Sequence, residues 1–182
     1  MKSFTFLPRV ILGLLLFVTG GGISLAADTY VTNTVNSTTY TFKVTSTKDK
    51  TANVSLSKIG GTDLASYKGT DIDLKTAYPN GTYTSGDTLY TITSMEAMDG
   101  NTTIKTVEMP STVTSLPSSC FSGCTALITV SVPGLKTIRD YAFKGCYALT
   151  GTLTIPSGAY VGNEAFNGTG VIGIFAPTNF RN

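Results

Sequence analysis

A recurrence in the second half of this chain constrains its fold more than any other feature. Pro110, Pro133, Pro156 and Pro177 are spaced 23, 23 and 21 residues apart. Phe121, Phe143 and Phe166 keep a similar step of 22 and 23, and Met98 stands 23 residues before Phe121. Gly100, Gly123, Gly145 and Gly168 each follow two residues after one of those positions. Four columns in register over four units define a repeat. A unit this short cannot bury its own apolar face, so successive units must stack as coils around a shared core.

The units read "AMDGNTTIKTVEMP", "CFSGCTALITVSVP", "AFKGCYALTGTLTIP" and the more divergent "AFNGTGVIGIFAP". Each carries one short strand ending at proline, preceded by a turn and an apolar position such as Leu116 or Ile138. Alternation sends Ile104, Val107 and Met109 inward in the first unit and Leu127, Val130 and Val132 in the second. It sends Leu153 and Ile155 inward in the third unit and Ile174 in the last. The outward positions form two columns: Thr106, Thr129, Thr152 and Gly173, beside Glu108, Ser131, Thr154 and Phe175. This neutral, flat, hydroxyl-rich face makes Thr106, Glu108, Thr129, Ser131, Thr152, Thr154 and Phe175 the candidate ligand-binding residues. Phe175 is either an anchor for a ligand or covered by the C-terminal "TNFRN". The column of Met98, Phe121, Phe143 and Phe166 is expected to fill the opposite wall.

Upstream of the repeat, "TYTFKVTS" alternates apolar and polar residues, and the charged turn "TKDK" leads into "ANVSL". This reads as a hairpin with Tyr40, Phe42, Val44, Val54 and Leu56 facing inward. "TDIDL" and "YPNGTYTSGDTLYTI", with turns at Asn80-Gly81 and Ser85-Gly86, supply further short strands. The expected organisation is a β-rich N-terminal cap over 27–91 and repeats with a short C-terminal cap over 92–182. Phe180 folds back over the last unit, or that end meets a second copy of the chain.

The three cysteines sit inside the repeat columns. Cys120 shares its column with Ala97, Ala142 and Ala165, read as a small buried site, and Cys124 and Cys146 share theirs with Asn101 and Thr169. Each therefore has a packing role of the kind free cysteine fills. A Cys124–Cys146 disulfide is the alternative in an exported protein, but in-register Cβ atoms on stacked coils sit near 4.8 Å, wider than the ~3.8 Å typical of a bridge. A zinc site is disfavoured by three cysteines with no histidine.

Strands of the "LTSVTIP" type alternating with "IxxxAFxGC" segments resemble the BspA-like class of bacterial leucine-rich repeats. The resemblance covers roughly residues 92 to 177, and 38–91 is similar, less specifically, to the β-rich lead-in found before such repeats. It implies a β-rich leucine-rich-repeat solenoid: about four coils of 21–23 residues with a parallel strand sheet, preceded by the cap. It also implies a surface protein that mediates adhesion to host matrix proteins or to other cells.

The N-terminus carries Lys2 and Arg9, the apolar run Val10–Val18, and small residues at Ser24 and Ala26 before a cut after Ala26. These are the parts of a secretory signal peptide over 1–26. An uncleaved anchor is the alternative, but the run falls short of the ~20 residues a spanning helix needs. No cysteine lies near the cut, so lipid attachment there is excluded. The expected location is secreted or cell-surface, with no membrane insertion after signal removal.

The chain has 13 Lys+Arg against 11 Asp+Glu, so losing Lys2 and Arg9 leaves 11 against 11. A neutral protein with no basic cluster does not fit nucleic acid. With no histidine, the usual Ser-His-Asp and Cys-His arrangements are ruled out. "KIGGTD" lacks the lysine of a phosphate-binding loop. Asp71 and Asp73 alternate on one strand face. They read as a solvated face flanking Ile72 and Leu74, with a calcium site as the sharper alternative, though the dense oxygen ligands of an EF-hand are missing. Glu96 and Asp99 fall on the turn side and Glu108 on the strand face, so they do not converge as glycosidase acids would. Sequons at Asn36, Asn53, Asn80, Asn101 and Asn167 matter only in a eukaryotic source.

The sequence therefore points to a non-enzymatic exported binding protein needing no cofactor or metal. Its partner is expected to be a host matrix or cell-surface protein rather than a glycan. Self-association through the C-terminal end is a further reading.

Overall fold

The computed structural model describes residues 28–155 and 158–175, with only the backbone described over 151–154 and 172–175. The secretory segment, Pro156, Pro177 and Phe180 lie outside the described residues, as do the side chains of Leu153 and Ile174.

The chain opens with β1 (Tyr30–Val35), β2 (Thr38–Lys48) and β3 (Thr51–Ile59), an antiparallel meander. Asn36, Ser37 and Asp49 take positive φ at its two turns, a conformation short polar side chains tolerate. The inward set matches the alternation: Phe42, Val54 and Leu56 are fully buried, and Tyr40 and Val44 are half-buried against them. The two-residue strand β4 (Thr62–Asp63) pairs with β3. The hairpin β6 (Thr82–Ser85) and β7 (Thr88–Met95) turns at Gly86, and β7 docks parallel to β3. The sheet order is β1-β2-β3-β7-β6.

Between these halves, the strand β5 (Asp71–Asp73) and the one-turn helix α1 (Leu74–Ala77) leave the sheet. The Asp73 carboxylate caps α1 by accepting from the Thr76 amide at 2.8 Å. β5 is the first strand of the repeat ladder. It pairs parallel with β8 (Thr106–Glu108), which pairs parallel with β10 (Thr129–Ser131). The third and fourth coils supply β12 (Thr150–Thr154) and β14 (Gly170–Phe175), also parallel.

A second wall of the coils is a parallel ladder of two-residue strands: β9 (Ser115–Leu116), β11 (Thr137–Ile138) and β13 (Tyr160–Val161). Leu116 and Ile138 point inward and are fully buried. The Thr114 amide donates to the Thr93 carbonyl at 3.1 Å, tying this wall to β7.

The third wall is built of turns. Phe121 stacks on Phe143 at 5.3 Å between ring centroids, and Phe143 on Phe166 at 5.2 Å, with Met98 buried at the head of the column. Backbone amides here donate from one coil to the next: Met98 to Cys120, Phe121 to Ala142, and Phe143 to Ala165, at 2.6–2.7 Å. The glycine column follows from this wall. Gly100, Gly123, Gly145 and Gly168 take φ of 71°, 68°, 71° and 74°, the left-handed region where a Cβ is penalised.

The core is one continuous cluster running from Val31 through Leu56, Ile72, Val107 and Phe143 to Ala165. Val130 and Val132 are half-buried against it, and Ile155 is buried.

The cysteine columns have a sharper role than filling space. Cys120, Cys124 and Cys146 are free and fully buried. The Cys124 thiol donates to the Met98 carbonyl at 3.3 Å and the Cys146 thiol to the Phe121 carbonyl at 2.9 Å, each reaching one coil back. Burial pushes both thiols up to about 12, so they stay protonated and able to donate. Asn101, in the same column, reaches back further. Its amide nitrogen donates to the Leu64 and Tyr67 carbonyls at 3.0 and 2.8 Å, and its oxygen accepts from the Thr103 and Ile104 amides. One position per coil thus sews that coil to whatever precedes it. The Cys120 column needs one correction: Ala142 and Ala165 are buried, but Ala97 is exposed, because its coil is the first and no coil covers it.

Candidate functional site

Three parallel strands present their outward side chains in rows. Asp71, Thr106 and Thr129 pair across β5, β8 and β10, and Asp73, Glu108 and Ser131 form the second row. Neighbours in each row sit about 4.8 Å apart, the strand spacing. Between the rows, Ile72 and Val107 turn inward and are buried, which fixes the outward set. Asp71, Asp73 and Thr129 are exposed, while Thr106, Glu108 and Ser131 are half-exposed.

The structure therefore brings Thr106 beside Thr129 and Glu108 beside Ser131, as the repeat register requires. It also places Thr152 opposite Gly173 and Thr154 opposite Phe175. The expected single sheet is split, however: β12 pairs with β14, and among the described residues no ladder joins β10 to β12. The third unit holds 13 residues from Phe143 to Pro156 where the second holds 12 from Phe121 to Pro133, and the ladder breaks at that extra residue. The side chains of Thr152, Thr154 and Phe175 lie outside those described.

The sequence reading missed that Asp71 and Asp73 extend the face. They are solvated and flank buried Ile72 and Leu74, as their alternation indicated. They also make the leading end of the face acidic rather than neutral. The Thr70 hydroxyl donates to the Asp71 carboxylate at 2.6 Å and, with Thr106, holds it below the usual carboxylate range. Glu108 is partly balanced by Lys75 at 3.8 Å. No group of three or more His, Cys, Asp or Glu that could hold a metal is found among the described residues.

A second feature lies where the lead-in sheet meets the second wall of the coils. There an open groove of about 530 Å³ has Ser55 and Thr93 along its floor. Lys43 and Thr45 stand on one side, and Ser115 and Arg139 on the other. Glu96 lies within it, accepting from the buried Ser57 hydroxyl at 2.7 Å. Lys43 is held by Asp28 at 2.8 Å.

The comparisons agree with this geometry. Residues 84–172 match the family model described as the BspA type leucine rich repeat region, in six copies. A leucine-rich repeat protein from Bacteroides capillosus ATCC 29799 superposes with a TM-score of 0.54 at 21% identity, over 81% of this chain and 99% of that one. A leucine-rich repeat protein from Treponema pallidum gives 0.48 at 19% identity, over 73% of this chain and 67% of that one. One from Bacteroides ovatus ATCC 8483 gives 0.46 at 20% identity, over 84% of this chain and 41% of that one. A comparison with curated proteins returns no match.

Proposed function

Taking the chain as a bacterial leucine-rich repeat protein of the BspA type, we propose that it is an exported, non-enzymatic binding protein that holds a protein ligand on its strand face. The observation carrying this reading is the paired double row Asp71–Thr106–Thr129 and Asp73–Glu108–Ser131, rigidly spaced and open to solvent. Solenoid proteins use such extended faces for recognition. The rows offer hydroxyls and carboxylates on a scaffold whose strands are fixed by buried Ile72 and Val107, so little ordering cost accompanies binding. The acidic leading end suits a partner with a basic patch.

Three features support the non-enzymatic part. Histidine is absent, the cysteines are buried and protonated, and the acidic residues of the face lie along rows rather than around a cleft. Export rests on the N-terminal sequence, and among the described residues no helix is long and apolar enough to cross a membrane.

The test is the double substitution Thr129→Arg with Ser131→Arg. Binding to the protein ligand should be lost while the thermal midpoint stays within a degree or two. Unchanged affinity removes the face from the account.

A further inference from the structure

The groove between the lead-in sheet and the coils differs from the strand face in shape and chemistry. Its volume of about 530 Å³ falls within the range of small-molecule sites, roughly 300–1,000 Å³. Hydroxyls converge on it from separate elements: Thr45 from β2, Ser55 from β3, Thr93 from β7 and Ser115 from β9. Met95 and Pro117 add carbon surface beside them.

The charges are unevenly committed. Lys43 is paired with Asp28, and Glu96 is held by Ser57. The exposed Arg139 guanidinium has no ion pair or hydrogen bond among the described residues.

The backbone around the groove is already used. β2 lies between β1 and β3, β3 lies between β2 and β7, and the Thr93 carbonyl accepts from Thr114. No strand edge is left there for an extended peptide to add to, the mode by which sheets recognise peptides through the main chain. Recognition must run through side-chain hydroxyls and carbon patches, with one planar cation suited to a carboxylate.

From this convergence we infer that the groove is a binding site for a short acidic saccharide, a uronate or a sialate. Its hydroxyls meet the Thr/Ser set, and its carboxylate meets Arg139. This site is separate from the strand face and does not depend on the function proposed for that face.

Isothermal titration of the purified protein tests it with four probes: trigalacturonate, sialyllactose, neutral maltotriose and a Glu-rich peptide. At least one acidic saccharide should bind at least tenfold tighter than maltotriose and tighter than the peptide. Arg139→Gln should remove that preference without moving the thermal midpoint, because Arg139 is exposed. The double substitution Thr129→Arg with Ser131→Arg should leave it intact. The inference is overturned by any of four results: no saccharide binding, equal affinity for neutral and acidic saccharides, preference for the peptide, or a preference that survives Arg139→Gln.

Discussion

Two sets of aromatic rings hold the two halves of this molecule together, and they are arranged by different rules. In the coils, Phe121, Phe143 and Phe166 stack nearly parallel, tilted by 18° and 8°. In the lead-in, Tyr40, Phe42, Tyr78, Tyr83 and Tyr90 meet at angles from 13° to 79°. Translation from coil to coil carries each ring onto its neighbour, so one geometry is repeated. In the lead-in, every ring is seated by its own strand or turn. Two of its rings are also seated at a cost, since the buried hydroxyls of Tyr78 and Tyr83 have no hydrogen-bond partner. The coils are a modular stack, and the lead-in is a single mixed core.

The largest test of that contrast truncates one ring in each region. Phe143→Ala and Phe42→Ala should each cost about 3–5 kcal/mol. Native-state hydrogen exchange should tell them apart. Losing Phe143 should accelerate amides from Phe121 to Thr169 while those of β2 and β3 stay protected, as expected for a stack whose units contact only neighbours. Losing Phe42 should release the whole meander. Identical exchange patterns would mean the two regions form one cooperative unit.

Glycines sharpen the comparison at smaller scale. A Cβ on Gly134, in the coils, would sit 1.7 Å from the Ser111 carbonyl oxygen, whereas one on Gly60, in the β3–β4 turn, meets nothing within 4 Å. Gly134→Ala should therefore cost roughly 3 kcal/mol, the upper range of overpacking. Gly60→Ala carries only the left-handed backbone penalty, about 1 kcal/mol. Urea midpoints of the two variants measure the difference.

Alkali should weaken both regions, by different groups. Burial raises the Cys120, Cys124 and Cys146 thiols in the coils and the Tyr78 and Tyr83 phenols in the lead-in. Each group stays protonated longer in the folded chain than in the unfolded one. Stability is therefore full below the unfolded values and falls as pH rises past them, by up to about 1.4 kcal/mol per pH unit for each group. With no histidine in the chain, the thermal midpoint should be flat from about pH 6 to 8. It should decline from about pH 9 as thiols ionise in the unfolded chain, and more steeply from about pH 10 as the phenols join. Tyr83→Phe should soften only the upper part of that decline.

The smallest effect belongs to the column that sews coil to coil. Cys146→Ala removes the bond to the Phe121 carbonyl and should cost about 1 kcal/mol. In denaturant without reductant, thiol titration should count three thiols, and in the folded protein it should count none. A count of one in denaturant would mean that Cys124 and Cys146 are bridged.

The same contrast explains what could be read from the sequence. The coils were legible because translation writes itself as columns: Pro110 and Pro133, Phe121 and Phe143, and Gly123 and Gly145 all keep the step. The outward rows at Thr106–Thr129 and Glu108–Ser131 followed directly. The first strand of that face was not legible. "DIDL" carries the same alternation as "TVEM", but it lies 35 residues upstream, with α1 and the β6–β7 hairpin inserted between them. The break after β10 left only a one-residue insertion as its signal. The groove left none, because Thr45, Ser55, Thr93, Ser115 and Arg139 converge through the docking of the sheet on the coils rather than through any spacing.

The central claim is that the strand face holds a protein. A biosensor panel of immobilised host matrix proteins and polysaccharides, probed with the purified protein and with the Thr129→Arg, Ser131→Arg double variant, tests it most directly. Saturable binding to one of the proteins, lost in the double variant, is the result expected. Binding that persists in the double variant, or silence from every protein on the panel, would contradict it.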